Sequence, residues 1–244
     1  MKPDMKDDPI RFNPRPVAWD KDKIARVWKF YSSMENDYFS KAAGDSLLDR
    51  VRRKVPLRGK VLDYGCGAGH FIEKLLARRI PTAAYDLSEE SLKIVADKFH
   101  SHPCFLGAFH SAGLPTPVPD DAYDAVFFIE TIEHLLPEEA GPVLKELHRI
   151  MKRGGHIIVT TRNEENMTRK EVQCPDCGAI FHRKQHLTAF SASSLALTMS
   201  EGGFSGLYCR PVMFSVSRLS GLRQVYARVR GEKLPSLLYI GRKG

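Results

Sequence analysis

Three glycines spaced two residues apart, between a short apolar run and an amphipathic one, constrain this chain more than any other feature. Val61, Leu62 and Tyr64 form a strand-like stretch, Gly65, Gly67 and Gly69 follow at once, and Phe71, Ile72, Leu75 and Leu76 then recur at helical spacing. A glycine lacks Cβ, so the backbone there turns tightly and lets a ligand approach beside the N-terminus of the following helix. A dinucleotide site seats its pyrophosphate on G-x-G-x-x-G. Here the third glycine comes one residue early, and Asp63 stands two residues before the first. A carboxylate at that mouth repels pyrophosphate and suits a cation, such as the ammonium of an amino acid. Asp86 closes the next strand, where its two oxygens are placed to accept from two ribose hydroxyls.

Around this loop, strand and helix patterns alternate. Strands are expected at Ile80 to Tyr85, Pro103 to Leu106, Tyr123 to Ile129, His156 to Thr161, from Phe204 onward and at Leu237 to Ile240. Between them lie a helix capped by Ser88, one from Pro137 to Met151 stopped by Gly154 and Gly155, and one capped by Ser191. The pattern predicts an α/β fold: a seven-stranded, mostly parallel, doubly wound, Rossmann-like sheet. Ile24, Val27, Trp28 and Tyr31, then Leu47, Leu48 and Val51, predict N-terminal helices interrupted at Gly44. Residues 1–58 thus read as a tail and helical cap, and 59–244 as the main domain, with an insertion at 162–190 where the alternation breaks.

An amino-acid end joined to a ribose describes S-adenosylmethionine. With the glycine loop, Asp86, the Leu114–Pro115 turn, the Tyr123–Ile129 strand and the stretch from Leu147 to Gly155, residues 58–212 resemble the class I SAM-dependent methyltransferases. The resemblance implies a cofactor site of Asp63, Gly65, Cys66, Gly67, Gly69, Asp86, Leu87, Phe109 and Ile129. Many relatives carry an Asp for the adenine amino group near the position where this chain has Phe109, His110 and Ser111.

Straight after the Tyr123–Ile129 strand come Glu130, Glu133 and His134. On a helix these share a face, and they offer either a site for magnesium or manganese or a general base in His134. The trio is similar to one in ubiquinone-pathway O-methyltransferases. It is also similar to one in small-RNA 3′-end 2′-O-methyltransferases, where the resemblance implies a metal completed by a later histidine, here His186. In the insertion, Cys174, Cys177, His182 and His186 have the ligand types and roughly the spacing of a compact zinc site.

Composition narrows the function classes. With 43% hydrophobic residues and no stretch near the ~18–20 apolar residues of a membrane span, an integral membrane helix is not expected. The first thirty residues lack a secretion-signal pattern, and five cysteines are no disulfide framework, which together predict a cytoplasmic protein with reduced thiols. Residues 1–60 hold 15 Lys and Arg against 9 Asp and Glu, and residues 205–244 hold 8 against 1, while the overall charge is +8. These basic ends, with the amphipathic pattern from Met213 to Arg230, suit an anionic acceptor, RNA or peripheral contact with a membrane surface. The reading is methyl transfer to a hydroxyl of a small or lipid-linked metabolite. RNA 2′-O-methylation with a metal on Glu130, Glu133, His134 and His186, and a SAM-binding module without catalysis, are the alternatives. The oligomeric state is left open.

Overall fold

The computed structural model describes residues 12–32, 34, 38–214 and 229–244. The chain enters on β1 (Arg15–Pro16), followed by α1 (Lys21–Ser32) and α2 (Phe39–Arg52). Then come β2 (Val61–Tyr64), α3 (His70–Ala77), β3 (Thr82–Asp86), α4 (Glu89–Phe99), β4 (Phe105–His110) and β5 (Tyr123–Ile129). The remainder is α5 (Pro137–Ile150), β6 (Met151–Arg162), β7 (Glu171–Gln173), β8 (Ala179–His182), α6 (Ala192–Glu201), β9 (Phe204–Val212) and β10 (Ser236–Lys243). Seven strands form the main sheet in the order β4-β3-β2-β5-β6-β10-β9. β10 runs antiparallel to both β6 and β9, and the other pairings are parallel. The expected fold is therefore the observed one.

β5 shows why an apolar run, Ala125 to Ile129, becomes a central strand, with Asp124 half-buried at its start and paired to Lys152. Ala125 and Phe127 face one core, with Leu47, Leu48 and Val51 of α2 and Phe71 and Leu75 of α3. Val126 and Phe128 face the other, with Leu144 and Leu147 of α5 and Leu195 and Met199 of α6. Helices cover both faces, so no polar alternation survives. The strand order reverses between β2 and β5, and ligands of such sheets bind in the crevice at the carboxyl ends of the strands beside that switch.

Several boundaries differ from expectation. Gly44 does not break a helix: it is buried inside α2, where a Cβ would stand 2.7 Å from Lys74 Cδ and 3.2 Å from Phe71. It allows α2 to lie close on α3. Gly154 and Gly155 fall within β6, because the chain passes from Ile150 straight into the strand at Met151. β4 begins at Phe105 as an edge strand, half-buried at Phe105, Gly107 and Phe109 and exposed between them, a period of two that the glycine masks in the sequence. Ser88 and Ser191 cap α4 and α6 as predicted, each accepting a hydrogen bond at 3.1 Å from the backbone N–H three residues on. The amphipathic pattern from Met213 to Arg230 falls largely on residues outside those described. No helix among the described residues is long and apolar enough to cross a membrane.

Candidate active site

The loop after β2 adopts the backbone its glycines permit. Gly65, Gly67 and Gly69 have φ of 81°, 51° and 79°. A Cβ on Gly65 would stand 2.7 Å from Thr131 Oγ1 of the loop after β5, so the two loops flanking the switch point abut. A Cβ on Gly67 would stand 2.8 Å from the Tyr38 ring, which lies over the loop and meets His70 at 5.1 Å between ring centroids. Nothing in the sequence marked Tyr38.

Asp86 organises the loop. Its Oδ2 accepts from Gly67 N at 2.8 Å and its Oδ1 from Ser88 N at 2.8 Å. The Leu87 backbone N–H also bonds this carboxylate, and with about four lone-pair sites in all it retains capacity to accept from a ligand hydroxyl. Asp63 is buried at 2% exposure, and burial, reinforced by the Asp86 charge, pushes its carboxyl up to about 8. A buried acid raised in this way favours a cationic ligand beside it, which restores the charged form. Cys66 and Ile129 are buried, Phe109 is half-buried, and Leu87 is 58% exposed at the rim. The expected cofactor residues thus gather around the crevice at the carboxyl ends of β2 to β5.

Glu130, Glu133 and His134 do not share a helix face. Glu130 has φ +46°, and only Ile132–His134 make one turn of 3-10 helix. That break carries Glu133 and His134 inward, while Glu130 stays outside their immediate group. His186 reaches them from the insertion: ligand atoms of Glu133, His134 and His186 all lie within 4.8 Å of one another. Both carboxylate oxygens of Glu133 and Oε1 of Glu130 are buried and have no hydrogen-bond partner among the described residues. Burial raises Glu130 to about 7; burial and then the Glu130 charge push Glu133 well up. His134 falls to about 3, through burial and then His186, and His186 falls to about 3, through burial and then His182. Carboxylates driven toward their acid forms beside imidazoles driven toward their neutral forms match the donor set of a divalent cation, which would hold both as ligands.

The cysteines lie elsewhere. Cys174 and Cys177 sit on the turn between β7 and β8, which closes through Gly178 N to Cys174 O at 3.0 Å. The backbone N–H of Cys177, then that of Asp176, lowers the Cys174 thiol. A Cβ on Gly178 would stand 2.6 Å from the backbone of Asn13, so only glycine lets the segment leading to β1 cross there. β1, β8 and β7 form a separate three-stranded sheet. Among the described residues, which include every Cys and His of the chain, no three-ligand group contains either cysteine. His182 and His186 instead gather with Glu165. The structure therefore does not bring the four predicted zinc ligands together.

Sequence reasoning also missed Glu165, Gln185 and Trp28. Buried Gln185 accepts from Trp28 Nε1 at 2.9 Å and donates to the His134 carbonyl at 3.0 Å. The Trp28 ring stands edge-on to His134 at 4.6 Å, which places α1 over the cluster.

A crevice with a buried acid where a dinucleotide's pyrophosphate would sit defines a Rossmann-like domain suited to a nucleoside with a cationic tail. Residues 34–208 match the family described as methyltransferase domain, and the chain belongs to that family. An mRNA cap guanine-N(7) methyltransferase of Cryptococcus neoformans is 26% identical over a match covering 72% of this chain and 33% of the relative. A ubiquinone biosynthesis O-methyltransferase of Bradyrhizobium diazoefficiens is 29% identical over 59% of this chain and 56% of the relative. The matches thus span a third of the first relative's length and just over half of the second's. A Burkholderia thailandensis 1,6-didemethyltoxoflavin-N1-methyltransferase, solved with S-adenosylhomocysteine, superposes with a TM-score of 0.60 at 15% identity, covering 96% of this chain and 94% of that one. That likeness establishes the fold.

Proposed function

We propose that this chain transfers a methyl group from S-adenosylmethionine to a hydroxyl oxygen of its acceptor, at a divalent cation held by Glu133, His134 and His186. The observation that carries the reading is the convergence of ligand atoms of those three side chains within 4.8 Å, with both Glu133 oxygens buried and unpartnered among the described residues. Bound in the crevice, S-adenosylmethionine supplies a methyl carbon on a sulfonium sulfur that leaves as a neutral thioether. Gly65, Gly67 and Gly69 bring the backbone close to that ligand, Asp63 faces its ammonium, Asp86 accepts from the ribose, and Leu87, Phe109 and Ile129 line the adenine. Cys66 is buried beside the loop and packs against Ile72 and Val95.

His134 suits a ligand better than a base. Its Nδ1 lies 3.3 Å from the Gln185 carbonyl, to which it donates, and burial holds the ring neutral well below the pH at which a general base works. A divalent cation there would supply Lewis acidity to a bound hydroxyl, making its proton acidic enough to pass to solvent water as the oxygen–methyl bond forms and the sulfur–methyl bond breaks. The carboxylate suits magnesium or manganese, and two imidazoles favour manganese. Glu130, whose charge reaches Glu133, adds to the negative field that attracts the ion.

For the acceptor, a small or lipid-linked metabolite remains the first reading. RNA is the second, supported by Arg162, Lys184 and Lys170, whose charges all reach His186. Transfer of labelled methyl to pooled metabolites and to RNA, with chelator and with added manganese, tests the proposal. Activity indifferent to chelation and to Glu133→Gln would remove the metal from it. A steep salt dependence would favour RNA, and binding of S-adenosylmethionine without turnover on any acceptor would leave a binding module.

A further inference from the structure

We infer that Glu165 sets His186 in the form that binds metal, and that His182 supports this carboxylate and is not itself a ligand. The inference rests on the metal reading above. A neutral imidazole carries one proton, and the nitrogen that carries it has no lone pair for an ion. His186 Nδ1 hydrogen-bonds to Glu165 Oε2. An ionised carboxylate only accepts, so the proton is on Nδ1 and the lone pair of His186 is on Nε2. His182 has the opposite arrangement. Its Nδ1 accepts from the backbone N–H groups of His186 at 3.1 Å and Lys184 at 3.3 Å, so its proton is on Nε2. That buried Nε2 lies 3.8 Å from Glu165 Oε1. The two histidines that the sequence pairs as zinc ligands are therefore opposite tautomers, and only His186 has a lone pair for the ion.

Packing holds this arrangement. The His182 ring stacks on His186 with centroids 4.4 Å apart and planes 21° from parallel. Glu165 lies three residues beyond the end of β6, just after Glu164 at φ +42°, whose N–H donates to the Phe190 carbonyl at 2.6 Å. Its side chain is 10% exposed. Glu165, His182 and His186 also lie within 4.8 Å of one another, yet the direct Glu165–His186 hydrogen bond takes the position that an ion among them would need.

The test uses the full chain stripped of metal, with manganese binding followed by electron paramagnetic resonance and the ligand set by the visible spectrum of the cobalt(II) form. Loss of a carboxylate that orients a metal-bound histidine weakens affinity by about 10- to 100-fold. Glu165→Gln, which keeps an acceptor but no charge, is expected near the lower end of that range, and Glu165→Leu near the upper. His182→Gln should keep the wild-type cobalt band energies and intensities, while His186→Gln should change them. Unfolding melts of the stripped variants separate loss of fold from loss of ligand. Wild-type affinity in both Glu165 variants, or a changed cobalt spectrum in a folded His182→Gln protein, would overturn the inference. Failure of the wild type to bind either ion would instead sink the metal reading beneath it.

Discussion

His134 and Gln185 are joined by two hydrogen bonds that run in opposite directions. The Gln185 side-chain amide donates to the His134 carbonyl at 3.0 Å, while His134 Nδ1 meets the Gln185 carbonyl at 3.3 Å. A residue of the insertion thereby sets both the position and the tautomer of a residue that follows β5. Leu187 N donates to the Glu133 carbonyl at 2.7 Å and ties the same two segments a second time. The amide of Gln185 also reaches α1 through Trp28, so one buried side chain links three regions distant in sequence.

Gln185→Leu removes the side-chain bonds to Trp28 and His134 and leaves buried partners unpaired. About 1–3 kcal/mol of stability should be lost, read from urea unfolding, and α1 should become the first site of proteolysis. Unchanged stability with α1 still protected would show that Gln185 does not tie these regions together.

Asp86→Ala should weaken S-adenosylmethionine and S-adenosylhomocysteine by about 1.5–3 kcal/mol, the range for hydrogen bonds to a charged group. Calorimetry is the measurement, and wild-type affinity in the variant would take Asp86 out of the ribose site. The loop itself also loses the bond from Gly67 N. Asp86→Asn, which keeps one acceptor oxygen, should therefore fall between the two.

Binding of a cation at Asp63 should release a proton. In the free protein the Asp63 carboxyl is raised to about 8 from an ordinary 3.8, chiefly by burial and then by Asp86. Its contribution to stability is fully present below about pH 4 and is lost as pH rises through about 8. A cationic ligand favours the carboxylate, so S-adenosylmethionine should bind more tightly as pH rises toward 8. Calorimetry in buffers of different ionisation heat should count the released proton, and Asp63→Asn should abolish it. No released proton in the wild type would place the cationic end of the ligand elsewhere.

Cys174→Ser combined with Cys177→Ser should leave manganese binding in the crevice unchanged, because the histidines of the insertion face Glu133, His134 and Glu165. Zinc carried by the purified wild type and lost from this variant would place a separate structural ion on the β7–β8 turn, completed by ligands other than the chain's own histidines. Elemental analysis of both proteins decides it.

The sheet and the glycine loop after β2 were legible in the sequence because both are local codes. A buried central strand writes itself as an apolar run, as Ala125 to Ile129 does. A loop that must turn at positive φ writes itself as glycine, as at positions 65, 67 and 69. Asp63 and Asp86 were legible because the end of each parallel strand faces the same crevice. Where the code was ambiguous, the reading erred: Gly44 serves helix packing, and Gly154 and Gly155 lie within a strand.

The chemistry of the second cluster belongs to the tertiary structure. Spacing suggested a helical Glu130–Glu133–His134 face and a four-ligand zinc site, since ligand types and intervals are all that spacing records. The 3-10 turn after Glu130 and the path of the insertion decided otherwise, bringing His186 to Glu133 and His134 and leaving the cysteines on their own turn. Glu165, Gln185 and Trp28 carry no motif; they matter only through hydrogen bonds to residues 21, 51 and 157 positions away in sequence. Tautomers are set by such partners, so which histidine can bind an ion depends on contacts that form only when the chain has folded.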